Sequence, residues 1–195
     1  MSVFHGSPVA GLALVAIAVA TPALTPVSAI HYAPTENLER IDVALLDQAK
    51  TSVDMAAYVL TDWPVMEALS RAAARGVKIR IYLDYGRIGE REPTAPFEAL
   101  IDNPEIEIGL KRAGAPLMHL KSYQIDGRLL RTGAANFSAS GLKHQDNDLI
   151  VIESAAAAAA FKRHFEEIFA SSEPLPLDRD ARREALGRSW DRGAN

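Results

Sequence analysis

The 195-residue chain has no cysteine, which removes disulfide frameworks, thiolate metal sites and cysteine nucleophiles together and leaves the redox compartment open. It has no excess of positive charge: the formal net charge is −4, so any contact with a polyanion rests on local groups rather than the overall field. Internal repeats are absent, and histidine is scarce, with five in all. What is present is ordinary for a folded protein. Hydrophobic residues make up 48% and charged residues 24%, which argues against disorder, and the length suits one domain rather than two.

The amino terminus carries an apolar run, Val9 to Ala20, far short of the ~20 residues a helix needs to span a bilayer. It leads to Val27-Ser28-Ala29, whose small residues suit a signal peptidase. The stretch before the run has neither Lys nor Arg, an unusual feature for an export signal. Residues 1–29 are therefore expected to be a cleaved signal peptide, with an uncleaved anchor as the alternative, and the mature chain to begin near Ile30. The protein is expected to be exported, periplasmic or secreted, with no stable transmembrane span in its mature form.

Along residues 30–172 the apolar period alternates between that of a helix and that of a strand. Leu38, Ile41, Leu45 and Ala49 recur at helical spacing. Val53 to Leu60 reads as a buried strand. Asp62 can cap a helix with Pro64 in its first turn and Gly76 just past its end, and Val77 to Asp84 reads as the next strand. Strand, helix and strand of these lengths predict a right-handed βαβ unit. A polar loop at 85–94, a short helix over Pro96 to Ile101 and a short strand at 105–110 follow. Asp126-Gly127 predicts a two-residue hairpin, because a type I′ turn needs positive φ at both central positions. A further strand at 148–154 leads to a helix capped by Ser154, and residues 173–195 read as a charged tail. The expected fold is α/β: one domain with a mixed, largely parallel sheet flanked by helices on both faces.

Chemistry concentrates between Met118 and Asp148. Residues two apart in a strand share a face, so His119 and Lys121 are expected to point the same way. The hairpin returns to Gly133 and passes Ala134 and Ala135 to Asn136, after which Ser138 can cap a helix start. A nucleophile or base, a fixed cation, an amide donor and a helix end gathered in one local unit suit a phosphoryl group, whose transfer is catalysed mainly by positioning and charge.

The full spacing, His119-x-Lys121-x4-Asp126, six residues, then Gly133-x-x-Asn136, resembles the His-Lys-Asp signature of the phospholipase D superfamily. The likeness extends from about Ile30 to Phe169, and the short single-motif chain is most similar to the Nuc-type endonuclease branch and to small bacterial proteins labelled phospholipase D. The resemblance implies His119 as the nucleophile of a covalent phosphohistidine, with Lys121 and Asn136 binding the non-bridging phosphate oxygens. It implies a structural role for Asp126 in the hairpin, and neither metal nor cofactor. Two departures stand out. Ala134 replaces the usual Ser after Gly133. Asn147 occupies the position of a Glu that commonly orients the histidine, with Asp148 beside it as a candidate replacement. One histidine cannot serve both as nucleophile and as leaving-group acid. With one motif per chain, the expected partner is a second copy in a two-fold homodimer. His31, His144 and His164 read as surface residues.

The expected activity is phosphodiester hydrolysis, with nucleic acid as first substrate and glycerophospholipid as the alternative. Lys111, Arg112, Lys143 and Arg87 could serve the first, and exposed Leu110, Leu117, Phe137 or Trp63 the second. A weakly active phosphate-binding module is the third reading, motivated by Ala134 and Asn147.

Overall fold

The structure, a computed structural model, describes residue 1 and residues 27–84, 95–112 and 114–175. In chain order these form β1 (Val27–Ala33), α1 (Leu38–Asp47), β2 (Ser52–Ala57), α2 (Trp63–Ala74), β3 (Lys78–Leu83), α3 (Ala95–Ile101), β4 (Ile106–Leu110), β5 (Lys121–Ile125), β6 (Leu129–Thr132), α4 (Ala139–Lys143), β7 (Asn147–Glu153), α5 (Ala155–Ala170) and β8 (Glu173–Pro174). The polar loop expected at 85–94, Arg87 within it, and the tail beyond Leu175 lie outside the described residues.

Local chemistry sets the helix ends. The side chains of Asn37, Asp62, Ser138 and Ser154 each accept a backbone N–H of the first turn they cap, and Pro64 stands where no N–H is needed. Just past the last turn of α2, Gly76 takes a φ of 87°, closed to most side chains.

All eight strands join one sheet in the order β1-β7-β6-β5-β2-β3-β4-β8. The expected parallel character is confined to β2-β3-β4; the hairpin β5-β6, the return of β7 and both sheet edges pair antiparallel. The sheet is thus mixed, as expected, but not largely parallel. The difference arises because only two of its seven joins are parallel crossovers, whereas the hairpin, the β2–β5 and β6–β7 joins and both edges are antiparallel.

Strand alternation divides the interior. Val53, Met55, Ala57, Ile79, Ile81, Tyr123 and Ile125 enter the main core with α1, α2 and α3. Ala56 and Tyr82, of opposite parity, meet Phe165 of α5 in a smaller core. Each fully buried Leu, Ile or Met in these layers stabilises the fold by roughly 1.5–3 kcal/mol.

Three features go beyond what the sequence pattern suggests. Val27–Ala29, assigned to the leader, pair with Glu153, Ile152 and Val151, because the outer edge of β7 offers unpaired backbone groups to whatever precedes it. Glu173 and Pro174, assigned to the tail, extend the other edge against Leu110 and Gly109, and Leu175 is buried behind them. In α1 the innermost positions are Leu38, Asp42 and Leu46, with Ile41 and Leu45 only half-buried. A helical period computed from apolar residues alone could not place an aspartate in the core.

Candidate active site

β2 and β3 run toward one end of the sheet, where β6 also ends and where β5 and β7 begin. The residues of the phosphate-ready motif collect at that end, just beyond the strands' carboxyl termini, the usual binding edge of an open α/β sheet.

His119 sits just before β5, and the backbone on both sides of it is held. Met118 N–H donates to Asp84 Oδ2 at 2.9 Å, and Tyr58 N–H donates to the Leu120 carbonyl at 2.8 Å. The imidazole itself is exposed, with the ring of Tyr58 edge-on at 4.5 Å between centroids. Among the described residues no side chain holds the His119 ring by a hydrogen bond. Lys121, by contrast, is buried at 6% exposure, with Nζ bonded to the His119 carbonyl at 2.8 Å and lying 5.0 Å from the Tyr58 centroid. Burial pulls its ammonium below the ordinary lysine range. Tyr58, which no sequence signal singled out, thus touches both members of the pair.

The hairpin forms as its sequence dictates. Asp126 and Gly127 have φ of 54° and 65°, and Arg128 N–H closes the turn onto the Ile125 carbonyl at 3.0 Å. Asp126 does more than turn the chain. Its carboxylate accepts the backbone N–H groups of Lys50, Thr51 and Ser52 and the hydroxyl of Thr51. Burial pushes that carboxyl up, and the four hydrogen bonds outweigh it, leaving the group below the usual carboxylate range.

Gly133 has a φ of 139°, and a Cβ there would meet the Asp148 carbonyl at 2.6 Å, so only glycine fits. The next residue, Ala134, donates its N–H to Asp148 Oδ1 at 2.7 Å. Asn136 carries a buried amide oxygen without a hydrogen-bond partner among the described residues. Leaving such an acceptor unpaired costs about 1–3 kcal/mol, and any contact of Asn136 with a phosphate oxygen has to come from its Nδ2 N–H groups instead. The two residues proposed to orient His119 are committed elsewhere: Asn147 donates to the Gly141 carbonyl at 2.9 Å and to Gln145 Oε1 at 3.3 Å, and Asp148 holds the Ala134 amide.

Beneath this surface lies an ion pair that the sequence did not disclose. Arg131 and Asp42, both fully buried, meet through two hydrogen bonds of 2.9 and 2.8 Å, and Tyr123 donates its hydroxyl to Asp42 at 2.8 Å. One further guanidinium nitrogen reaches the Lys121 carbonyl at 2.8 Å and the Ala135 carbonyl at 3.4 Å. The lysine strand and the loop that ends in Asn136 are therefore tied to one buried cation. A lone Asp on an apolar helix face, with Arg at an inward strand position, was the available signal.

A family model described as "Cardiolipin synthase, PLD-like domain" matches residues 43–169. The chain belongs to the phospholipase D superfamily. It is 29% identical over 136 residues to "Phospholipase D" of Rickettsia bellii, covering 69% of this chain and 65% of that protein. To "Phospholipase D" of Rickettsia felis it is 30% identical over 122 residues, covering 62% and 58%. The chain thus spans less than two thirds of the length of these relatives. Among solved structures it superposes on the phospholipase D family member Nuc from Salmonella typhimurium with a TM-score of 0.66 at 26% identity, covering 77% of this chain and 98% of Nuc. NucT from Helicobacter pylori shares the fold, with a TM-score of 0.68 at 19% identity, covering 77% and 99%.

The remaining candidates sort by burial. Leu110 and Phe137 are buried and present nothing to an acyl chain, whereas Leu117 and Trp63 are 60% and 53% exposed. Leu110 lies on an inward strand position, and Phe137 is covered by Arg131 and Tyr123. Of the basic groups, Lys143 is paired with Glu39 and Arg112 with Glu173. His144 and His164 are exposed, and His31 bonds Glu36 at 2.7 Å.

Proposed function

We propose that His119 attacks phosphorus to form a phosphohistidine, with Lys121 and Asn136 holding the non-bridging oxygens, and that the substrate is nucleic acid. The observation that carries this reading is an exposed imidazole beside a buried ammonium. A nucleophile at an open sheet edge suits a long polymer that cannot enter a closed pocket. The aromatic side chain of Trp63, exposed at the start of α2, is suited to stack on a base. Likeness to Nuc over nearly its whole length adds support.

The second reading, phospholipid hydrolysis, is favoured by Leu117, exposed two residues before His119, and by the rickettsial relatives named phospholipase D. Either substrate needs an acid for the leaving oxygen. We infer that a second copy supplies it, two His119 rings facing one another across a two-fold axis. An active monomer in sedimentation would remove that inference. The export reading of the leader rests on its apolar run and on the small residues Val27-Ser28-Ala29 that follow it, and amino-terminal sequencing of the exported protein tests it.

The test offers purified protein in EDTA both plasmid DNA and phosphatidylcholine vesicles. Nicking of DNA that weakens steeply with added salt is expected, and His119→Asn should lower turnover by about a thousandfold or more. Vesicle hydrolysis without nicking would replace nucleic acid with lipid. A variant as active as the parent would remove His119 from the chemistry.

A further inference from the structure

A second cluster of charge lies behind the Asn136 loop, and neither the motif nor the superfamily resemblance accounts for it. Asp62, the cap of α2, is fully buried. Its Oδ1 accepts the Val65 N–H at 3.2 Å, but its Oδ2 finds no donor among the described residues. Among the neighbouring side chains, the carboxyl group of Glu39, from the first turn of α1, acts most on Asp62, by its charge and as a hydrogen-bonding group. Two carboxyl groups can bond to each other only if one carries a proton. Lys143, at the end of α4, ion-pairs with Glu39 from the other side. Three helices thus meet through two acids and one ammonium, and Glu39 and Lys143 are the charged groups acting on Asp62 from the elements around it.

The cluster connects directly to the site. The backbone N–H groups of Thr61 and Asp62 both donate to the Phe137 carbonyl, at 2.8 and 3.0 Å, and Phe137 follows Asn136. Lys143 ends the helix that the Asn136 loop leads into. Three buried polar atoms with no hydrogen-bond partner among the described residues, Thr61 Oγ1, Asp62 Oδ2 and Asn136 Oδ1, belong to this one neighbourhood.

We propose that Asp62, Glu39 and Lys143 form a proton-sharing clamp that positions Asn136, so that the grip of the site on phosphate depends on whether the shared proton is present. The kinetic part rests on the phosphodiesterase reading above; the structural part does not. With the proton in place, Asp62 and Glu39 bond, Lys143 neutralises the remaining charge, and the Asp62 amide holds Phe137 in register. Release of the proton to solvent leaves two carboxylates facing one ammonium. The repulsion falls on the residue whose backbone fixes the phosphate loop.

The direction in pH follows from the same contacts. Burial, and behind it the neighbouring Glu39 carboxylate, push the Asp62 carboxyl up to about 6, against the pull of the Val65 amide and the Lys143 charge. The clamp is therefore closed in mild acid and opens as pH rises through that value. Stability due to the raised group follows the same sign, complete below the ordinary carboxylate range and lost as pH approaches 6.

Asp62→Asn keeps a capping oxygen for Val65 and supplies a permanent donor to Glu39, so it folds and mimics the closed clamp at every pH. The side-chain amide resonances of Asn136, followed by NMR, should titrate with a carboxyl midpoint in the parent and stay flat in Asp62→Asn. Lys143→Gln should move that midpoint upward, and His144→Gln, which removes the adjacent imidazole, should leave it in place. With bis(p-nitrophenyl) phosphate as probe, the parent's KM should rise on the order of fivefold from about pH 5 to about pH 7.5, while that of Asp62→Asn holds its low-pH value. An Asn136 titration that persists unchanged in Asp62→Asn overturns the clamp. A titration lost in the variant, in a protein that cleaves no phosphodiester, keeps the clamp and removes the phosphodiesterase reading instead.

Discussion

Arg131 and Arg80 are built into opposite faces of the same sheet from similar parts. Each leaves a strand, grips an aspartate and lies over a phenylalanine ring. Arg131 holds Asp42 through two hydrogen bonds and covers Phe137 at 4.5 Å, with no exposure to solvent. Arg80 bonds Asp54 at 2.7 Å and Glu166 at 3.0 and 2.8 Å, over Phe165 and Phe169 at 5.1 and 5.5 Å, with 25% of its side chain exposed. The difference lies in the remaining donors. Arg131 spends one on the carbonyls of Lys121 and Ala135, so its charge pair doubles as the floor of the site. Arg80 spends its own on α5, and joins a helix to the sheet. Similar chemistry organises a site on one face and only packing on the other.

The largest effect should come from breaking the sealed pair. Arg131→Met leaves Asp42 buried and charged without its partner, which costs roughly 3–5 kcal/mol. Replacing both members, Arg131→Met with Asp42→Leu, removes the orphan charge and should recover much of that loss in a urea unfolding series. Turnover should not return with it, because the two carbonyls remain untied. A double variant as active as the parent would show that the pair serves folding alone, and the comparison between the two arginines would collapse.

On the opposite face the expected loss is smaller. Arg80→Met forfeits charge-assisted hydrogen bonds worth about 1.5–3 kcal/mol in partly screened surroundings, and Asp54 keeps Gln124 at 2.8 Å and Lys162 at 3.9 Å. Unfolding should shift by no more than about 2 kcal/mol, with kcat and KM unchanged. A loss of activity at constant stability would mean that α5 communicates with the site after all.

These two networks also mark how far the sequence could be read. The hairpin, its Asp126-Gly127 turn, the caps Asp62, Ser138 and Ser154 and the single-domain α/β class follow from local rules that act within a few residues, and each is where local chemistry put it. The motif was legible for the same reason, since His119, Lys121, Gly133 and Asn136 occupy one continuous stretch. Asp42 and Arg131 are 89 positions apart, and Glu39 and Lys143 are 104. Nothing in a charged residue's neighbours says that its partner lies across the domain, so a buried ion pair reads as two solvated ones. The edge strands were illegible for a related cause. β1 and β8 are strands because β7 and β4 present open backbone to them, a property of the sheet rather than of residues 27–29 or 173–174.

A third cation over a ring sharpens the comparison at its smallest scale. Lys121 lies 5.0 Å from the centroid of Tyr58, as Arg80 lies over Phe165, but here the ring also meets His119 edge-on at 4.5 Å. With no hydrogen bond holding the imidazole among the described residues, Tyr58 is what restricts its rotation, and it helps keep the Lys121 ammonium out of water. Tyr58→Leu preserves an apolar side chain of moderate size and should cost about 0.5–1.5 kcal/mol of stability, the worth of the lost ring contacts. The effect on kcat should be about tenfold, because a freely turning imidazole spends less time aimed at phosphorus. Tyr58→Phe keeps the ring and should restore the rate, which separates the ring's contribution from that of the hydroxyl. If Tyr58→Leu turned over as fast as the parent, the histidine would need no ring to hold it, and the orienting group would have to come from the second copy.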